Sequence, residues 1–295
     1  MFKKYVYGIF IFVLLSNFLN AKPVNIDEIL SGKRQFRILS QLSYINIKSK
    51  NSLLTSLSHD VGSGNSIQIP ISMIANSNTD FLNFAMSVRY GIYKNIEIFS
   101  TINAFYQHNT TNVNANFTEK HNGNFNTWNL GMLAQIKREG RYPALLLGGS
   151  IDLMNMTNFS NDTAKLQYFK GYSIFATSYY TIDPLVFLLQ AGFRANLYSA
   201  NGMLSVNSGE IFTLTPMVYF AVNPYVSLNF GITYQYKTKD FVDSKIVSMQ
   251  GSSVGYNFGV AYEIKQNLIL FSSIEYLQTS DYTSNAINLT LSYRI

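Results

Sequence analysis

The chain has no cysteine among its 295 residues. Disulfides, Cys-ligated zinc, a thiol nucleophile and a lipid anchor on cysteine are all excluded. Charge is scarce. Asp, Glu, Lys and Arg make up 13% of the sequence, against about 25% in an ordinary soluble domain. There is one tryptophan and there are three histidines, and the formal net charge is only +6. No basic run accompanies that surplus, so nucleic-acid binding has no support. No segment after the first twenty-odd residues offers the ~18 consecutive apolar residues of a membrane-crossing helix. The densest run, Pro184 to Phe193, is broken by Gln190 and soon followed by Arg194.

Apolar material is nevertheless abundant. Hydrophobic residues reach 47%, and 22 Phe and 21 Tyr bring the aromatic share to 15%. That much apolar and aromatic side chain excludes intrinsic disorder, while mean hydropathy stays close to neutral. A chain poor in charge, rich in apolar residues and neutral on average needs an arrangement that keeps two kinds of surface apart.

The first residues set the compartment. Lys3 and Lys4 precede the uncharged apolar run Tyr5 to Leu15, and Ser16 to Ala21 is a more polar tail ending in a small residue. This is the layout of a secretory signal peptide, residues 1–21. Residues 22–33 (KPVNIDEILSGK) come next as a short leader. Asn25 can cap a short helix there, with Ile26, Ile29 and Leu30 on one face and Gly32 ending it. Such a helix either plugs the mouth of the domain formed by residues 34–295 or lies unstructured in the periplasm.

From residue 34 to 295 the governing pattern is two-residue alternation, the signature of strands whose side chains point to opposite faces. Ile287, Leu289, Leu291, Tyr293 and Ile295 oppose Asn288, Thr290, Ser292 and Arg294. The same holds for Leu82 to Ile92, Val226 to Tyr236 and Val254 to Ile264. Twelve such segments lie near 34–48, 81–92, 96–108, 125–137, 143–154, 170–182, 185–198, 210–222, 225–239, 252–264, 268–279 and 286–295. Five short turns and six longer loops rich in Asn, Ser, Thr and Gly alternate between them. An even strand number, short turns on one side, long loops on the other and tyrosines at strand ends describe a closed antiparallel transmembrane β-barrel of the bacterial outer membrane. A secreted β-sandwich also alternates, but strands of this length suit a tilted membrane crossing better.

Several strand–turn–strand runs carry a family resemblance. FLNFAMSVRYGIYKNIEIFS, NLGMLAQIKREGRYPALLLGGSIDL, IFATSYYTIDPLVFLLQAGFR, TLTPMVYFAVNPYVSLNFGITYQY and the terminal INLTLSYRI resemble the outer-membrane barrels of the MetA-pathway of phenol degradation family. The resemblance implies an outer-membrane transporter or channel, without fixing a phenolic solute. That family is similar in pattern to the barrels that export amyloid subunits, but the long periplasmic coiled coil of such exporters has no counterpart in residues 22–33.

Alternation assigns the polar faces to a lumen. Arg37, Arg89, Glu97, Asp152, Arg194, Glu263, Glu275 and Arg294 fall on that side. Opposite charges in a confined pore steer polar solutes or pair with one another and fill space. Catalysis has little to build on, because His59, His108 and His121 lie in or beside the expected outer loops. His59 with Asp60 does not by itself make a metal site, and no cofactor is expected. The expected function is passive diffusion of small solutes through a polar, charge-lined lumen. The alternatives are a surface adhesin acting through its long loops, within which Ser66 to Ile74 is a candidate extra hairpin strand, and an export pore for a secreted subunit. The expected partners are outer-membrane lipid, a small solute and the barrel-assembly machinery acting through the C-terminal strand.

Overall fold

The structure, a computed structural model, describes residues 30–49, 53–62, 65–73, 77–113, 116–158, 164–279 and 282–295. Residues 1–29, which hold the expected signal peptide and Asn25, Ile26 and Ile29, lie outside these residues. All regular structure among the described residues is β-strand. In chain order the strands are β1 Phe36–Ser49, β2 Leu53–Gly62, β3 Asn65–Met73, β4 Ser77–Tyr93, β5 Ile96–Val113, β6 Asn116–Lys137, β7 Ala144–Asn158, β8 Ala164–Gln167, β9 Gly171–Ile182 and β10 Leu185–Asn196. They continue with β11 Ser199–Asn201, β12 Leu204–Asn207, β13 Ile211–Asn223, β14 Val226–Lys237, β15 Asp240–Val242, β16 Lys245–Ser248, β17 Gly251–Lys265, β18 Leu268–Gln278 and β19 Tyr282–Arg294.

Twelve of these close into one barrel. The order is β6, β5, β4, β1, β19, β18, β17, β14, β13, β10, β9 and β7, and β7 pairs back onto β6. Every neighbouring pair is antiparallel. The chain ends meet in the wall: β1 pairs with β19 from Arg37↔Arg294 to Ser49↔Tyr282. Closure leaves no open edge, which is the condition for a sheet to stand in lipid.

The alternation read from the sequence becomes inside and outside. Along β19, Asn288, Thr290 and Ser292 are buried, while Ile287, Leu289, Leu291 and Tyr293 are exposed. Along β4, Asn83, Ala85, Ser87 and Arg89 point inward, and Leu82, Phe84, Met86 and Val88 face outward. Exposed aromatics gather in two bands. Phe36, Tyr93, Tyr142, Tyr225, Tyr262 and Tyr293 lie toward the short turns. Tyr44, Tyr106, Tyr172, Tyr234, Tyr256 and Tyr276 lie toward the long loops. Such girdles mark the two membrane interfaces of an outer-membrane barrel.

The loop side departs from the expectation. The segment expected as loop over 109–124 continues β5 and β6 as one long hairpin, paired out to Val113↔Asn116. Its residues are polar, so they carry no apolar alternation, yet backbone pairing extends into them. The first long loop holds the β2–β3 hairpin, which includes most of the extra strand expected over 66–74. The short strands β11, β12, β15 and β16 form a small four-stranded sheet from two further loops.

The faces make a direct prediction. Leu289 sits mid-strand on the outer face, 43% exposed. Leu289→Arg should cost about 2–4 kcal/mol of folding free energy in phospholipid vesicles, measured by denaturant titration. The neighbouring inward change Thr290→Arg should cost clearly less.

Candidate functional site

The lumen has layers, set by which residue types occupy the inward positions of each strand. At mid-height it is polar. Ser43, Asn83, Asn103, Thr127, Thr213 and Gln235 are all nearly fully buried. Some inward side chains bond across strands, while Asn83 Nδ2 and Oδ1 and Gln235 Oε1 have no partner among the described residues. Asn103 Nδ2 donates to Thr127 Oγ1 at 2.8 Å, and Thr101 Oγ1 donates to Ser87 Oγ at 2.9 Å. Short amide and hydroxyl side chains can satisfy each other here without net charge.

Two groups of ionisable residues interrupt this layer. Asp152 on β7 and Arg194 on β10 form a buried ion pair across β9. Arg194 Nε also donates to Asn196 Oδ1 at 2.9 Å. Gly171 lies between the partners, and a Cβ there would overlap both Asp152 Oδ2 and Arg194 Nη2. A glycine is therefore what lets the pair meet. On the far wall, Glu275 of β18 accepts from Asn257 Nδ2 and Asn288 Nδ2, each at 3.1 Å. Among the described residues it forms no ion pair, and the two amides hold it in place.

The short-turn end is built differently on its two sides. On one side Phe99, Leu133, Ala144, Leu146, Phe175, Tyr179, Val186, Leu188 and Met217 form an apolar cluster inside the barrel. The sequence leads one to expect a polar, charge-lined lumen, and this stretch of the inner wall is apolar instead. Its cause is legible in retrospect. The runs PALLL and PLVFLLQ are apolar at both parities, so they furnish a lipid face and an apolar inner face together. A second, smaller apolar cluster (Ile45, Ile47, Phe81, Phe105 and Ala286) lies inside toward the loop end.

The other side of the short-turn end carries charge. Arg89 Nη1 donates to Glu97 Oε1 at 2.9 Å, with both side chains almost fully buried. The Arg89 guanidinium also lies 5.1 Å from the centre of the Phe99 ring, a favourable cation–π geometry. Arg37 is buried beside them. Arg294 pairs with it across the β1–β19 seam and is half-buried. Glu263 is half-buried at the short-turn mouth of β17.

Between these two sides sits the end of the leader. Leu30 is 9% exposed and belongs to the apolar cluster. Its carbonyl accepts from Arg37 Nη2 at 3.1 Å, and Ser31 N donates to Glu97 Oε2 at 2.5 Å. Lys33 makes a parallel bridge with Gly91, and Arg34 N donates to Gly91 O at 2.7 Å. A Cβ at Gly91 would overlap the carbonyl oxygens of Ser31 and Gly32. Residues 30–33 are thus clamped against the inner wall by Arg37, Glu97 and the bare backbone of Gly91.

The wall also has a hollow of about 410 Å³, lined by residues of both faces, among them inward Tyr179, Leu188 and Met217 and outward Phe187, Leu189 and Pro216. Proline lacks the N–H that a ladder uses. The β13–β14 ladder runs from Leu214↔Tyr234 to Met217↔Gly231 without pairing Thr215 or Pro216.

A closed twelve-stranded barrel with a lipid-facing apolar belt and a polar interior has the fold of bacterial outer-membrane proteins. Solved structures agree on that class. The COG4313 outer membrane channel from Pseudomonas putida F1 superposes with a TM-score of 0.61 at 8% identity, over 94% of this chain and 100% of that one. The translocator domain of the autotransporter NalP from Neisseria meningitidis gives 0.52 at 10% identity, over 91% of each chain. The transport unit of the autotransporter AIDA-I from Escherichia coli gives 0.52 at 10% identity, over 95% of each. These neighbours are a channel, a translocator domain and a transport unit. At such identities the likeness is one of fold. No family model matches the sequence, and no curated protein does.

Breaking the buried pair tests the lumen's energetics. Asp152→Ala leaves the Arg194 guanidinium buried without its counter-charge and should cost about 3–5 kcal/mol. Pairing it with Arg194→Met should recover most of that loss in the same denaturant titration.

Proposed function

We propose that this protein is an outer-membrane channel for small solutes, closed at its short-turn end by its own residues 30–33. The observation that carries the reading is the position of Leu30 and Ser31 inside the barrel, between the apolar wall and the Arg37–Arg89–Glu97 group. A barrel whose interior served only to fill space would have no need of a separate segment there. The mid-height polar side chains are nearly fully buried, so in this reading a solute meets them only when the interior opens. The apolar floor then discriminates against bare ions, for which dewetted constrictions are barriers. The solute class favoured by this sequence of layers is small and amphipathic.

In this reading Arg37, Arg89, Glu97 and Arg294 act at the gate. Asp152, Arg194 and Glu275 set the potential of the section above it, and Glu263 lies at the exit. Residues 22–29, with Ile26 and Ile29, extend the plug, and residues 1–21 are the export signal. The resemblance to the MetA-pathway of phenol degradation family supports the same reading, since the hairpins that carry it are strands of this barrel. Lipid contacts the outer face, and the assembly machinery would recognise the terminal strand β19. The second reading, an adhesin, draws support from the β2–β3 hairpin and the small sheet of β11, β12, β15 and β16 at the loop end.

Planar-bilayer recording with refolded protein tests the proposal. The wild type should show low or intermittent conductance. Deleting residues 22–33 should give a steady, larger one. Gly91→Val, which crowds the segment out while leaving it in the chain, should shift the wild type toward the deletion. Absence of conductance from all three would overturn the channel reading. Equal conductance in all three would overturn the plug.

A further inference from the structure

We propose that His108, His121 and Glu119 form a binding site for one divalent transition-metal ion, with Zn²⁺ as the reference ion, on the outer face of the β5–β6 hairpin. No part of the channel reading uses these residues. The hairpin register sets His108 directly opposite His121, which brings together two of the chain's three histidines. The next outward position on β6 toward the loop is Glu119. One donor atom from each of the three lies within 4.8 Å of the others.

The surroundings fit a ligand set. His108 Nε2 finds no hydrogen-bond partner among the described residues, and it lies 4.0 Å from Glu119 Oε2. His121 Nδ1 lies 3.1 Å from the Tyr106 hydroxyl. With Nδ1 engaged there, Nε2 of His121 is the nitrogen left for a metal. Binding would fix the tautomer so that Nδ1–H donates to Tyr106, the usual outer partner of a ligating imidazole. Two imidazoles and a carboxylate are the donor set of zinc, copper and nickel rather than of calcium or magnesium. Three protein donors leave a fourth position for water or an external ligand.

The rings are stacked, with centroids 4.4 Å apart and planes 8° from parallel. A nitrogen lone pair lies in its own ring plane, so one ring must turn about its Cβ–Cγ bond as the metal enters. Exposure allows this. The His108 side chain is 34% exposed and that of Glu119 65%. The small closure from 4.0 Å to ligand spacing falls on the exposed carboxylate. Tyr106 belongs to the loop-side aromatic band, so the site stands just above it. A metal there would tie the two long strands together where they leave the membrane.

The test is calorimetric titration of refolded full-length protein in detergent with ZnCl₂ alone, near neutral pH. One ion per chain is expected. His108→Ala and His121→Ala should each weaken binding by more than about a hundred-fold, beyond the roughly ten- to hundred-fold cost of losing an outer partner. Acidification should abolish binding, because protons compete for imidazole. His59→Ala should leave binding unchanged. The fluorescence of Trp128, the single tryptophan, reports whether each variant is folded. Limited proteolysis gives a second readout: Zn²⁺ should protect the hairpin in the wild type and not in His121→Ala. Absence of zinc binding by the wild type, or binding that survives His108→Ala/His121→Ala together, would overturn the site. Neither result bears on conductance.

Discussion

A strand edge left unpaired in hydrocarbon exposes N–H and C=O groups that lipid cannot satisfy, each at a cost of several kcal/mol. The β1–β19 seam and the β6–β7 pairing remove that cost, and the other features depend on them. Closure forces every barrel strand to present one face outward and one inward, so a period of two in the sequence becomes a lipid surface and a lumen. It also brings the start of β1 beside the end of β19. The leader enters at the short-turn mouth for that reason, within reach of Arg37 and Gly91.

The same constraint explains the composition. Exposed apolar side chains such as Leu289, Phe230 and Ile274 cover the barrel. Asn, Ser, Thr and Gln fill the inside, in part by bonding to one another. Charge is needed only at a few points, and there it comes with partners: Arg89 with Glu97, Asp152 with Arg194, and Glu275 with two asparagines. A chain built this way is rich in apolar residues, poor in charge and neutral on average.

The twelve barrel strands were legible because the membrane enforces alternation wherever it touches the chain. Where the membrane ends, the signal ends too. The Asn- and Thr-rich continuation of β5 and β6 reads as loop, although its backbone pairs to the tip. Alternation also fails where the inner face is apolar. Leu146, Val186 and Leu188 sit inside beside outward Leu147, Phe187 and Leu189, and such a run shows no period at all. Parity puts Asp152 and Arg194 on the inner face, where both are buried, but it does not give either its partner. Asp152 and Arg194 are separated by 42 positions, and only the order of β7, β9 and β10 brings them together.

The histidines show the limit most clearly. His108 and His121 fall in a stretch that the sequence describes only as polar, and each alone has the character of a solvated loop residue. Their relation exists only once the hairpin register is known, because a shift of one residue would send one ring inward and the other outward. Register in the membrane part is fixed by the cost of exposing polar faces to lipid. Above the membrane that cost vanishes, and the register at His108↔His121 is set by the strands below together with the one-residue bulge at Asn126, between Asn103↔Thr127 and Ala104↔Phe125. The lipid-embedded part of β5 and β6 thus specifies side-chain geometry beyond its own boundary, and chemistry can be placed on a hairpin whose own sequence does little to align it.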